Sequence, residues 1–527
     1  MAHEFQVLDS WAFAFLECFQ SFHFVAVFVE WNSLKGQIMA VKQGSFRVGK
    51  VRGDLRGLVW YLTYFEEGRR RRPRVGPDKN VARQMAAQIN SQLEVGAPAA
   101  LSFAAVSLDE LQASWLRHHE QVLRSSVQTI NRYRTATKHL LDFVDKTRVP
   151  RTTSHFRAQH AEEFVRYLRT IEVSPNGHPH SKKRPLLDKG IKFILETCRA
   201  LFNFAMKRRH LSPYAENPFS VIDLDRIPIE NHRSIVIFSA DEERQFFQQC
   251  DDWQFPIFAT LLMTGMRPGE LCHLLLPEDV DLTHDLLMIR NKPKLGWQVK
   301  TRCERVIPIM PVLRELLRQV VGKRQAGPLF LRRRFVSGVR PTIGEAGSAR
   351  LERELADRIA RQEVELQRTL TRQERLVLAR HLWTDAGAVK PDLLRSEFLR
   401  ITREIGQSHQ TAPKVFRHLF ATSLQDANVD PLIRCELLGH STGASSASGN
   451  GLGMTANYTH TRLETKRKQL QAALEVRPVV ELALHWCDRK KSTAAESISE
   501  EPTTSNVHRD ADNVDQKSLQ TEPPCVS

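Results

Sequence analysis

Apolar and polar positions between residues 45 and 96 alternate with a period of two in SFRVGKV and LVWYLTYFE, then shift to a helical period from Lys79 to about Gln92. That order predicts short strands followed by one helix. From residue 107 the helical period holds in four stretches, 107–123, 126–146, 157–171 and 186–209, whose polar faces carry Arg132, Arg134, Lys138 and Lys207-Arg208-Arg209. Residues 216–235, with Pro218, Pro228 and mixed polarity, read as a linker. Further on, strands are expected near 286–290 and 297–309 around a Lys292-Pro293-Lys294-Leu295-Gly296 turn. In residues 346–382, Leu351, Leu355, Ile359, Leu366 and Leu370 share one stripe among alternating charges, which predicts one long amphipathic helix. It packs on the domain around it, or meets a subunit or nucleic acid. Glu464 to Leu474 reads as a helix, and residues 490–527, rich in Ser, Thr, Glu, Asp and Pro, as a disordered tail.

The chain of 527 residues is long for one core and suggests three or so domains. Its formal net charge is +16, and the segment from residue 492 holds seven acids and two bases, so the remainder carries +21. Such a basic body favours a polyanion, usually nucleic acid. The eight cysteines are scattered without a CxxC pair, like reduced thiols rather than a disulfide framework. Cys272-His273 and His118-His119 lack partner ligands at zinc spacing and read as structural, so no metal is implied. Residues 11–31 are apolar but hold Glu17, Glu30 and His23, with no basic segment before them and no small-residue cleavage site. Neither a secretory signal nor a strong membrane span results. Residues 1–44 are therefore an apolar extension, with Met39 the expected natural start.

Five motifs follow one another in order: Arg267 in TGMRPGEL, Lys300 in VKTRCERVIPI, Arg417 in PKVFRHLFAT, His440 in LLGHS and Tyr458 in NYTH. Two guanidinium groups offer planar forks of donors that stay charged and can hold the non-bridging oxygens of a phosphodiester. A tyrosine hydroxyl can attack that phosphorus and keep the bond energy in a covalent ester, so rejoining needs no ATP. A lysine borne on a turn can protonate the leaving 5′ oxygen. Lys292 and Lys294 in the same hairpin are rivals of Lys300 for that role. Tyr458 is the only tyrosine after Tyr214.

In this order the motifs resemble those of the tyrosine recombinases, the phage-integrase family, over roughly residues 45–475. The resemblance implies a mainly α chain with small β-sheets. Residues 45–96 would form an arm-type β/α DNA-binding domain, 107–215 a helical, SAM-like core-binding domain, and 236–475 a mixed, mostly α catalytic domain containing the 346–382 insertion. It makes Arg267 and Arg417 the phosphate clamp, with Glu270 behind Arg267, Lys300 the general acid, His440 a hydrogen-bonding partner of phosphate and nucleophile, and Tyr458 the nucleophile. It implies a cytoplasmic, site-specific recombinase of a mobile genetic element acting on double-stranded DNA, without cofactor or membrane, as a homotetramer and with or without an accessory DNA-bending protein. The run Arg69, Arg70, Arg71 and Arg72, followed by Pro73 and Arg74, would contact phosphates, as would Arg132, Arg134 and Lys138; the alternative for the run is a solvated turn.

Three departures from the family pattern stand out. Lys414 occupies the position three residues before Arg417 where histidine is usual, and lysine can donate to phosphate but is a poor base near neutral pH. His440 and Tyr458 are 18 residues apart, about twice the usual gap, with TGASSASGNGLG as the extra length. The interval from Lys300 to Lys414 is long because of the insertion. Two alternatives to recombination follow: topoisomerase-like rejoining by the original 5′ end, and a DNA-binding regulator that kept the fold and lost turnover. His418, beside Arg417, reads as structural.

Overall fold

An antiparallel sheet opens the described chain, and alternate positions of its longest strand face inward as the sequence pattern requires. The computed structural model describes residues 44–174, 180–213, 215–229, 235–336, 338–440 and 461–499. Two compact units divide it, Met1–Arg233 and Ser234–Ser527. In the first, strands β1 (Ser45–Val48), β2 (Val51–Arg56), β3 (Val59–Glu66), β4 (Arg69–Arg71) and β5 (Arg74–Gly76) form a five-stranded sheet in which β4 and β5 both pair with β3. Trp60, Leu62 and Tyr64 of β3 point into a core completed by Ala82, Ala86 and Ile89 of helix α1 (Lys79–Glu94), which Asp78 caps. Gly53 is required on β2, since a Cβ there would sit 2.4 Å from the Phe46 ring. The apolar stretch of residues 11–31 and Met39 lie outside the described residues.

Helices α2 (Leu108–Arg117), α3 (Val127–Lys146), α4 (Ala158–Thr170) and α5 (Asp188–Lys207) follow, with a two-stranded hairpin of β6 (Glu172–Val173) and β7 (Arg184–Pro185) between the last two. Their starts are encoded locally. Ser107 and Glu110 form a reciprocal capping box, and Ser126 caps α3 through the Thr129 amide. Leu111, Leu140, Phe143, Phe164, Leu195, Cys198 and Phe202 fill the core at helical spacing. The expected linker departs from expectation here: Phe219 and Leu224 are buried in this same core, Phe219 with its ring 5.4 Å from Phe202. An apolar side chain every few residues holds residues 215–229 against the helices.

The second unit is built on α6 (Ala240–Gln248) and α7 (Gln254–Thr264), every residue of which is buried. Then come a one-turn helix α8 (Pro268–Leu271), strands β8 (Leu275–Leu276), β9 (Val280–Asp281), β10 (Leu286–Ile289) and β11 (Arg305–Pro308), and helix α9 (Pro311–Val321). β11, β10 and β9 make a three-stranded antiparallel sheet. The second strand of the expected hairpin thus begins at Arg305 rather than 297, because residues 290–304 form a folded loop. Strand β12 (Gly327–Pro328) pairs with β8, and a short helix α10 (Arg333–Val336) follows.

The insertion is two helices, α11 (Ser348–Leu366) and α12 (Arg372–Asp385), not one. Gln367 takes the left-handed conformation at the end of α11, and Thr371 starts α12 with a capping box to Glu374. Leu351, Leu355 and Leu370 are buried as the stripe required, whereas Leu366 is exposed. Helices α13 (Pro391–Glu404), α14 (Lys414–Asp426), α15 (Pro431–Leu438) and α16 (Leu463–Leu474) complete the core, with Leu470 and Leu474 of α16 buried within their own unit. A last helix, α17 (Pro478–Ser499), takes residues 490–499 out of the expected disordered tail. Val479, Ala483 and Trp486 bury its inner face, with Trp486 stacked on Phe255 at 6.0 Å. Overall the chain is mostly helical with small antiparallel sheets and a β-rich N-terminal region.

Candidate active site

Arg267 is placed by a three-residue break between two helices. Gly265 ends α7 with φ +61°, and a Cβ there would lie 2.2 Å from Phe420, so only glycine fits. Arg267 then caps α8, whose first residue is Pro268, the preferred opening residue of a helix. The Glu270 carboxylate reaches back to the Arg267 amide at 2.9 Å and accepts from its Nη1 at 2.8 Å. The Nε and Nη2 groups of Arg267 hold no hydrogen bond with the described residues.

Glu270 serves a second arginine. Arg305, buried on β11, donates Nη2 to Glu270 Oε2 at 2.6 Å and Nε to the Leu437 carbonyl at 2.9 Å. Burial works to raise the Glu270 pKa, but hydrogen bonds and charge from Arg305, then Arg267, hold it below the usual carboxylate range.

Arg417, also buried, sits one turn into α14 and donates Nη1 to the Gly265 carbonyl at 2.8 Å and Nη2 to the Leu438 carbonyl at 2.5 Å. Its Nη2 also lies 3.2 Å from His440 Nε2. Burial, then the nearby Arg267 charge, lowers its pKa to about 10, which still leaves it charged at neutral pH. His440 follows Gly439, the left-handed C-cap of α15, which turns the chain so that residue 440 faces Arg417. Burial and the charges of Arg417, Arg267 and Arg305 lower the His440 pKa, favouring the neutral ring whose Nε2 accepts from Arg417. Two guanidinium groups therefore share one carboxylate, with the charge of a third, Arg417, nearby. The site has an excess of positive charge and unspent donors, which suits an anion with several oxygens.

The three lysines of the 290–304 loop differ sharply. Lys292 pairs with the buried Asp279 at 2.7 Å, and Lys294 with Glu352 of α11 at 3.2 Å. Lys300 is exposed and makes no hydrogen bond or ion pair with the described residues. Lys414 is the first residue of α14, exposed, three positions before Arg417 and so on the same helix face. His418 is half-buried and its pKa is lowered by burial, then by Lys414 and Arg417. Tyr458, with residues 441–460, lies outside the described residues.

Residues 237–464, which span Arg267, Lys300, Lys414, Arg417, His440 and Tyr458, match the model of the phage integrase family. The chain carries a phage integrase family domain. Among solved structures, a Tn1549 transposon integrase in complex with a circular intermediate DNA is 18% identical over 69% of this chain and 99% of that one, with a TM-score of 0.43. A lambda integrase tetramer bound to a Holliday junction is 16% identical over 74% and 96%, at 0.36. XerA recombinase is 18% identical over 68% and 96%, at 0.26. No curated protein sequence matches the chain.

Within the integrase domain, sequence reasoning singled out Arg267, Glu270, Arg417 and His440 but not Arg305. In the first unit, the Arg69–Arg72 run is not a turn: Arg69, Arg70 and Arg71 are strand β4, on the flank of β3. Arg69 and Arg70 are exposed, Arg71 lies 3.5 Å from Glu66, and Arg72 lies 3.9 Å from Asp54. On α3, Arg134 donates to Asn131 at 2.6 Å, Arg132 lies over the Phe193 ring at 4.3 Å, and Lys138 is exposed. Among the described residues, no helix is long and apolar enough to cross a membrane.

Proposed function

We propose that this chain is a site-specific DNA recombinase that cuts one strand of duplex DNA per active protomer and rejoins it through a 3′-phosphotyrosyl intermediate. The observation that carries the reading is that Arg267 and Arg305 share the Glu270 carboxylate while Arg417, in contact with His440, adds its charge nearby. In that reading Arg267 and Arg417 hold the non-bridging oxygens of the scissile phosphate. Glu270 and Arg305 orient Arg267 from behind, and Leu438 and Gly265 fix Arg417 through their carbonyls. Tyr458 attacks phosphorus as its phenolic proton passes to solvent water, and the P–O5′ bond breaks as Lys300 protonates the departing 5′ oxygen. His440 donates to the phosphate or the nucleophile, and Lys414 adds a second cation beside Arg417. Attack of a partner's 5′ hydroxyl on the ester completes exchange.

The first unit supplies DNA affinity in this account. Its sheet, with Arg69 and Arg70 on β4, acts as an arm-type domain. Arg132, Arg134 and Lys138 of α3 contact phosphates from the helical core-binding domain, and four protomers assemble on the exchanging sites, with an accessory DNA-bending protein where the sites require one. The test presents full-length protein to a nicked, fragmented DNA pool, denatures it and sequences DNA still attached. Adducts that vanish in Tyr458→Phe and share a sequence support the reading. Retained binding with no adduct in the wild type overturns it in favour of a DNA-binding regulator, and adducts that only relax supercoils, without joining two sites, in favour of a topoisomerase-like enzyme.

A further inference from the structure

Lys300 stands on a loop whose shape is not set by its own strands. Asn291 brackets the lysine from within: its Oδ1 accepts from the Val299 amide at 3.0 Å and its Nδ2 donates to the Arg302 carbonyl at 3.0 Å. One carboxamide thus fixes the backbone on both sides of Lys300. The other half of the loop is gripped from outside by the insertion. Leu295, fully buried, belongs to the apolar cluster of α11 and α12 beside Leu351, Leu355 and Leu382. Trp383 donates its indole N–H to the Leu295 carbonyl at 3.1 Å. Gly296, at φ +69°, comes so close to α12 that a Cβ would meet Ala379 at 2.6 Å. Finally, His273, two residues beyond α8, is stacked on Trp297 of the loop at 4.8 Å and meets Trp383 edge-on at 4.7 Å. The segment that carries Arg267, the loop that carries Lys300 and the inserted helix α12 meet at that one imidazole.

We propose that the inserted helix pair α11 and α12 is a positioning element for the Lys300 loop, acting through Trp383 on Leu295 and through the Trp297, His273 and Trp383 rings, with Asn291 passing that constraint to Lys300. The proposal rests on the reading of Lys300 as general acid. Helix α12 is therefore part of the cutting machinery without touching DNA in order to act. A loop of fifteen or so residues would otherwise sample many conformations, and proton donation to a leaving oxygen demands placement within hydrogen-bond reach.

Two readouts on the full-length protein test this. The first is hydrogen exchange without DNA. Trp383→Phe, which removes the indole N–H and shrinks the bicycle to a single phenyl ring, and Asn291→Ala are expected to raise exchange across residues 290–304 several-fold, leaving 45–96 unchanged. Unaltered exchange in 290–304 in both variants overturns the proposal. The second readout compares cleavage of a duplex bearing the recovered target sequence with the same duplex carrying sulfur in place of the bridging 5′ oxygen, since a thiolate leaves without a proton donor. Trp383→Phe is expected to cut the oxygen substrate roughly tenfold more slowly and the sulfur substrate at near the wild-type rate. Equal slowing on both substrates means a general structural defect and overturns the proposal. Lys300→Ala separates the two claims: if sulfur fails to rescue it, the reading of Lys300 falls, while the exchange measurement still decides whether the insertion holds the loop.

Discussion

Glu270 is the residue on which the site's geometry turns, because its two oxygens hold Arg267 and the buried Arg305 together. Replacing it by Gln removes the only carboxylate bonded to either guanidinium among the described residues and leaves Arg305 charged in a dry pocket. Glu270→Gln is therefore expected to destabilise the second unit by about 3–5 kcal/mol, read from the shift of its denaturant midpoint. A change under about 1 kcal/mol would mean that Arg305 finds water or another acceptor. The sequence revealed Arg267 and Glu270 because a left-handed glycine, a helix-opening proline and an acid three residues on are a local grammar. Arg305 escaped notice for a physical reason. Its strand reads Arg-Val-Ile-Pro, and with apolar residues at both 306 and 307 the phase of alternation cannot be told from the chain; the structure buries Ile307 and exposes Val306, which turns Arg305 inward.

At the scale of elements, the insertion shows where a hydrophobic period misleads. The stripe from Leu351 to Leu370 predicts one helix, yet the chain breaks at Gln367 and restarts at Thr371, whose capping box with Glu374 was present in the sequence as Thr-Arg-Gln-Glu. Gln367→Gly is expected to stabilise the protein by roughly 0.5–1 kcal/mol by relieving a left-handed residue, and Thr371→Ala to destabilise it by about 1 kcal/mol. Thermal denaturation of the two variants checks both signs, and the same sign in both would contradict the break. His273 adds a dependence on pH. Burial, against a hydrogen bond to the Gly269 carbonyl that works the other way, lowers its pKa from 6.5 to about 4. The unfolded chain then takes up the proton first, so stability falls as pH drops through the window from 6.5 to 4 and is flat below it. The loss is on the order of 3 kcal/mol. Denaturation midpoints between pH 7 and 4 should fall more steeply for the wild type than for His273→Phe, and equal slopes would show that the imidazole is not held neutral.

At the scale of the whole molecule, helices α2 to α5 of the first unit were legible to within about two residues at most ends, because each carries an apolar stripe and serine caps mark the starts of α2 and α3. The C-terminal helix was not anticipated, although Val479, Ala483 and Trp486 repeat at helical spacing; a polar composition beyond residue 490 outweighed that stripe. Net charge of +16 pointed to a polyanion but not to particular contacts. Arg69→Ala and Arg70→Ala should each lower the slope of log binding constant against log salt by about 1 and weaken binding to all duplexes alike. Titrations at several salt concentrations measure this, and an unchanged slope would remove β4 from the DNA interface.

The central claim is that Tyr458 becomes bonded to a DNA 3′ phosphate. The direct measurement is to trap the denatured protein–DNA adduct, digest both components and locate the nucleotide-bearing residue by peptide mass spectrometry. The account predicts a nucleotide 3′-phosphate on the peptide containing Asn457-Tyr458-Thr459-His460, absent in Tyr458→Phe. A nucleotide on any other residue, or an adduct that persists in Tyr458→Phe, would contradict it.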